Sequence, residues 1–130
     1  MQRAGFNEHV IEGALDWSPD SGFRAGQWLD PSEFSAVFAA NDEIALGFMS
    51  AMEKRGHRAP SSYSIVGVDD MPTAKYFSPS LTTCRLDFQA LGEATFQSLQ
   101  ERIRTGKLPT HRVLESRLMI RDSTGPLSQG

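Results

Sequence analysis

A single cysteine, Cys84, stands in this chain of 130 residues, so no intrachain disulfide and no cysteine-cluster metal site can form. Such sparing use fits a reducing, cytoplasmic compartment. The three histidines, His9, His57 and His111, are scattered without metal-ligand spacing. No apolar run approaches membrane-spanning length, and the N-terminus has no signal-peptide pattern, so no membrane association is expected. Basic residues are outnumbered 13 to 16, giving a formal net charge of −3, which argues against these residues being the main nucleic-acid contact. Glycine-rich phosphate-binding fingerprints, a nucleophile elbow, internal repeats and low-complexity linkers are all lacking. Nothing here calls for a cofactor or a metal, and the chain reads as a non-enzyme.

What is present is an ordinary globular composition, 39% hydrophobic and 22% charged, in 14.4 kDa, enough for one domain with a real core. Its organising stretch runs from Phe34 to Asp70 as strand, helix, strand. The short apolar runs 37–40 and 64–68 lack strict polar alternation and end abruptly in amide or acidic residues, as buried parallel strands do. Between them, Asn41-Asp42 supplies a helix start and Gly56 a helix stop. A right-handed crossover then brings Asn41 and Asp69 to the carboxyl ends of neighbouring parallel strands, the edge where open α/β sheets bind ligands. The fold class is therefore α/β, a largely parallel sheet with helices on both faces.

Elsewhere, residues 3–8 suit the tail of a helix and 9–12 a short strand. Ser18-Pro19-Asp20 opens a helix that carries Phe23, Trp28 and Leu29 and ends by Pro31. Pro72 opens a helical turn toward Tyr76-Phe77, and residues 81–84 are β-prone. Asp87 starts an amphipathic helix with Phe88, Leu91, Thr95, Phe96, Leu99 and Ile103 at helical spacing, closed by Gly106. Residues 111–115 and 117–121 read as two short strands or one broken one, and 125–130 as a loose tail. On the central helix, Ile44, Ala45, Phe48, Ala51 and Met52 form one broad apolar face, with Leu46 and Met49 off it, as a wide core stripe or a second contact surface.

Two acidic pairs, Asp42-Glu43 and Asp69-Asp70, could serve as general acid and base, but adjacent acids on loops more often cap helices or face water. A polyol pocket suits the residues better. It needs an aromatic face for the ring's C–H side, and carboxylate and amide groups for vicinal hydroxyls. Trp17, Asn41 and Asp69 supply these, each where a strand is expected to end. Trp17 suits the core equally well, and Asn41 a helix cap.

The segments AVFAANDEIALGFMSAMEKRGHRAP and SIVGVDDMPTAKYFSPSLTTCRLDFQALG resemble the lactose repressor/galactose repressor family of transcription regulators, over about residues 16–123. AND, VGVDD, PSLTT and DFxxLG occur in that order and spacing. The resemblance implies a sensor with the fold of periplasmic sugar-binding proteins, of which residues 1–124 are the C-terminal lobe. Residues 87–116 would then belong to an N-terminal lobe outside this chain, as would the DNA-binding domain. It also implies a small-molecule effector, such as a sugar or derivative, against Trp17, Asn41, Asp69 and Phe88. A homodimer surface would involve Leu46, Met49 and Phe77, and operator DNA would be read only through the absent domain. Asp42 fits a structural helix start better than an effector contact. Gln2 stands where many relatives have an effector-touching arginine, with Arg3 next, and Leu86 replaces a polar residue. A periplasmic-type sugar-binding protein of a transport system is the alternative. Without the other lobe, the apolar face of the 88–103 helix is expected to pack on a second copy of the chain.

Overall fold

The computed structural model describes residue 10, residues 16–109 and residues 111–126. The readings of residues 3–8, 9–12 and the end of the tail therefore lie wholly or largely outside the described residues.

Helix α1 (Pro19–Trp28) opens on Ser18 with proline in its first turn. Asp16 braces that start from outside the helix: its Oδ1 accepts from the Ser18 hydroxyl, the Ser21 hydroxyl at 2.7 Å and the Ser18 amide at 3.0 Å. Those hydrogen bonds, the Ser18 hydroxyl's first, lower the Asp16 carboxyl to about 2. Strand β1 (Ala36–Phe38), helix α2 (Asp42–Lys54) and strand β2 (Ser64–Asp69) form the expected parallel unit. Asn41 caps α2, and Gly56 takes a φ of +84° just beyond its C-cap, where a side chain would be strained. Strand β3 (Thr82–Arg85) adds in parallel to β2, and β4 (Arg117–Met119) adds antiparallel to β3, giving the order β1-β2-β3-β4. Among the described residues the segment 111–116 forms no strand, and its residues are exposed.

Helices α1 and α2 touch backbone to backbone. A Cβ on Gly22 would sit 2.0 Å from the Ile44 carbonyl oxygen, and one on Gly47 1.8 Å from that of Pro19, so only glycine permits this approach. The end of α1 is tied to α2 by Arg55, whose Nη1 donates to the carbonyls of Gly26 at 2.7 Å and Leu29 at 2.6 Å. Beneath lies the core of Leu29, Ala45, Phe48, Met49, Met52, Tyr63, Ile65 and Leu81. Phe34, Phe48 and Tyr63 meet edge to face, with ring centroids 5.7 to 5.9 Å apart.

Two expectations are corrected here. Met49 does not lie off the core face of α2. It is 6% exposed and belongs to the core cluster, in line with Ala45 and Met52 at helical spacings of four and three. Helix α2 is covered on two sides, by the sheet and by α1, so its buried stripe is broader than one face. Met49 accordingly offers almost nothing to a partner, whereas Leu46 is exposed and Phe77 packs half-buried on the core. Strand β1 is likewise not fully buried, since Phe38 is 74% exposed.

Helix α3 (Phe88–Thr105) begins at Asp87, whose Oδ1 accepts from the Ala90 amide at 2.9 Å, and ends on Gly106 at φ +69°. None of its residues is buried, and Phe88, Leu91, Phe96, Leu99 and Ile103 are all exposed. The sequence placed the helix and its apolar stripe correctly, and among the described residues that stripe stands uncovered.

Candidate functional site

The three parallel strands bring their carboxyl ends to one edge. Asn41 follows β1, Asp69 ends β2, and Phe88 opens the helix after β3. Neighbouring strands lie about 4.8 Å apart, so these positions form one rim. Trp17 joins them from the start of α1. The Asn41 side chain explains how: its Oδ1 accepts from the Ile44 amide at 2.7 Å, and its Nδ2 donates to the Trp17 carbonyl at 2.9 Å. One amide thus caps α2 and fixes the backbone at Trp17. It retains one N–H and one lone pair for a further partner. The Trp17 side chain is 67% exposed and Phe88 56%, so neither serves the core of this chain.

Asp42, Asp69 and Asp70, the three aspartates near this rim, have different roles. Asp42 is fully buried. Its Oδ1 accepts from the Thr83 hydroxyl at 2.5 Å and its Oδ2 from the Met71 amide at 2.8 Å, which ties α2 to β3 and to the turn after β2. This is the structural helix-start role read from sequence. Asp70 accepts from Arg85 Nε at 2.6 Å on one oxygen and from Arg121 Nη2 at 2.5 Å on the other. Burial by itself would raise the Asp70 carboxyl, but hydrogen bonds from Arg121 and Arg85 outweigh it and hold it below the ordinary value. Neither Asp42 nor Asp70 is free for acid–base chemistry.

Asp69 is different. Among the described residues its carboxylate makes no hydrogen bond or ion pair, although it is only partly exposed. Burial, then the negative charges of Asp42 and Glu43, raise its carboxyl above the ordinary value. Asp69 and Asp70 also have φ values of +109° and +54°, a region that non-glycine residues seldom occupy and that gathers at functional sites. The turn is held in this shape by the Asp70 amide on the Thr83 hydroxyl at 3.3 Å and by the Asp70–arginine pairs. The rim therefore offers the unengaged Asp69 carboxylate, the largely buried but half-free Asn41 amide and two exposed aromatic rings, a set suited to hydroxyl groups on a partly apolar ring.

As read from sequence, Asn41 and Asp69 stand at the carboxyl ends of neighbouring parallel strands; Trp17 is tied to Asn41 through its carbonyl, and Phe88 lies three residues beyond β3. Sequence reading chose Asp69 and not Asp70 for the site, but it missed the anchoring of the rim by Thr83, Arg85 and Arg121 that occupies Asp70. Only the PSLTT segment, which contains Thr83, gave a signal. Among the described residues no cluster of His, Cys, Asp and Glu is suited to a metal, and no helix is long and apolar enough to cross a membrane.

The profile of the periplasmic binding protein-like domain matches residues 1–124. The chain is 38% identical over 96 residues to the HTH-type transcriptional repressor PurR of Escherichia coli O139:H28 (strain E24377A / ETEC), and equally to that of Klebsiella pneumoniae (strain 342). Each match covers 72% of this chain and 28% of the relative, so the chain spans little more than a quarter of these curated relatives. Among solved structures, the lac repressor dimer bound to operator and the anti-inducer ONPF superposes with a TM-score of 0.75 at 33% identity, covering 84% of this chain and 39% of that one. A LacI family transcriptional regulator from Enterococcus faecalis V583 with bound ribose gives 0.80 at 36% identity, covering 92% and 45%. One from Enterococcus faecium, also with bound ribose, gives 0.73 at 33%, covering 85% and 42%.

Proposed function

The chain belongs to the periplasmic binding protein-like domain family, as part of an effector domain of the lactose repressor/galactose repressor group, and from that premise we infer that it is the effector-sensing and dimerisation portion of a cytoplasmic transcription repressor. The observation that carries this reading is the unengaged Asp69 carboxylate on the rim, beside an amide and two exposed aromatic rings. A sugar or sugar-like molecule lies against Trp17, Asn41, Asp69 and Phe88, with Asp69 accepting from a pair of hydroxyls and a ring's apolar side on the aromatics. Two structural relatives with bound ribose support a ligand of that class.

The effector sits between two lobes. Residues 16–86 and 117–124 form the body of one lobe, while 87–116 belong to the other, which accounts for the uncovered stripe of α3. Leu46 and Phe77 lie on the dimer surface, and Met49 backs them from the core. Effector binding shifts the relative orientation of the lobes and so the dimer's hold on operator DNA, which is read by a domain outside this chain. Calorimetry of the complete gene product against a panel of monosaccharides, nucleosides and nucleobases tests the reading. Saturable binding of one member supports it, and silence across the panel contradicts it.

A further inference from the structure

The chain leaves the body of the fold and re-enters it at one point. Strand β3 ends at Arg85 and β4 begins at Arg117, and these two residues are register partners in the antiparallel pair. The described residues between them, α3 included, lie apart from the core, with no buried residue in the helix. The departing strand and the segment that follows the returning one are fastened to the same carboxylate. Asp70 Oδ2 takes Nε and Nη2 of Arg85, each at 2.6 Å, and Oδ1 takes Arg121. Arg121 also donates to the Leu81 carbonyl at 2.7 Å, so its head is fixed at the start of β3 as well. The Asp70 side chain is 5% exposed, and its two hydrogen bonds, from Arg85 Nε and Arg121 Nη2, are charge-assisted, the strong kind. Its neighbour in the same left-handed turn is Asp69, the unengaged carboxylate of the rim.

We propose that Asp70 is a positioning residue that couples the effector site to the crossing segment: a ligand that engages Asp69 acts through the shared turn on the Asp70 carboxylate, and through Arg85 and Arg121 on the two passages that carry residues 86–116. This rests on the reading of the rim as an effector site. Arg85 stands beside Asp69 in the β2–β3 register and beside Arg117 in the β3–β4 register, so the pairs lie within the sheet and at the same time join the ligand-facing turn to both ends of residues 86–116. Side chains in two discrete arrangements can transmit binding in this way.

The test uses the complete gene product and the panel member that binds it, with amide hydrogen exchange measured free and at saturation. Wild type is expected to show ligand-induced protection across 86–116. Asp70→Asn and the milder Arg85→Gln, which removes a half-exposed arm, are expected to bind within about tenfold of wild type yet lose more than half of that protection. A merely structural role would lower the melting temperature and raise exchange in the free state, leaving the ligand-induced difference intact. That outcome overturns the proposal. So does a folded variant that cannot bind, since Asp70 would then be part of the contact itself. If wild type binds no panel member, the site reading fails and the proposal with it. If wild type binds, Asp69→Asn does not, and both coupling variants respond as wild type, only the proposal fails.

Discussion

The carboxylate of Asp42 lies against the bare α carbon of Gly67: a Cβ there would come within 2.2 Å of Asp42 Oδ1. The glycine of the VGVDD segment thus leaves room for the buried acid that joins α2, β3 and the turn after β2. Gly67→Ala must displace a carboxylate holding two hydrogen bonds in a fully buried position. The expected cost is about 3 kcal/mol, read as a lowered midpoint in denaturant unfolding. A loss below about 1 kcal/mol would mean that Asp42 moves freely, against the network described.

Asn41 has two separable duties, on the Ile44 amide and on the Trp17 carbonyl. Asn41→Asp keeps the capping oxygen and loses the donor to Trp17, while Asn41→Ala loses both. Thermal unfolding should show a cost of about 1 kcal/mol for alanine and less for aspartate. Effector affinity should fall in both, because each frees the backbone that carries Trp17. Unchanged affinity in Asn41→Asp would remove Trp17 from the site.

The Tyr63 hydroxyl is buried without a partner among the described residues, and burial, then the charge of Glu53, pushes its ionisation up to about 12. The ring packs between Phe34 and Phe48, so Tyr63→Phe keeps the aromatic contacts and removes an orphaned donor. Stability should stay level or rise by up to about 1 kcal/mol in urea unfolding. A loss of that size would reveal an internal partner, such as a bound water.

Acid should weaken the effector before it weakens the fold. The Asp69 carboxyl is raised, so it takes up a proton earlier than an ordinary aspartate as pH falls, and a protonated acid is a poorer acceptor for hydroxyls. Its raised value means that protonating it favours the folded state. Asp70, held below the ordinary value, contributes stability that is present above the unfolded value and lost only as pH falls through its own lower one. Affinity measured from about pH 7 to pH 4 should therefore drop while the melting temperature holds. Glu43→Gln removes one repelling charge and should move the affinity profile to lower pH. A profile that does not move would mean that Glu43 is too well screened to matter.

Much of this was legible because the signals were local. Asn41 before a helical period, Gly56 after it, Asp87 and Gly106 at the two ends of α3, and short apolar runs for β1 and β2 each act within a few residues. What failed depended on neighbours distant in sequence. Met49 looked free because a wheel centred on Phe48 supposes one covering surface, whereas α1 takes one side of α2 through Gly22 and Gly47 and leaves Ala45, Met49 and Met52 to the sheet side. Residues 111–115 find no partner strand among the described residues to form a ladder with. The end of β2 singled out Asp69, but nothing local shows that Asp70 is occupied: that is done by Arg85 and Arg121, 15 and 51 residues away.

The most direct test of the effector site is calorimetry of the complete gene product and its Asp69→Asn variant, side by side, against the panel member that binds. Exchanging a charged acceptor for an amide should weaken binding by about 100-fold, some 2.7 kcal/mol, while the melting temperature stays level or rises with the relief of buried charge. Affinity within about threefold of wild type would contradict the account, because the unengaged Asp69 carboxylate would then have no part in holding the ligand.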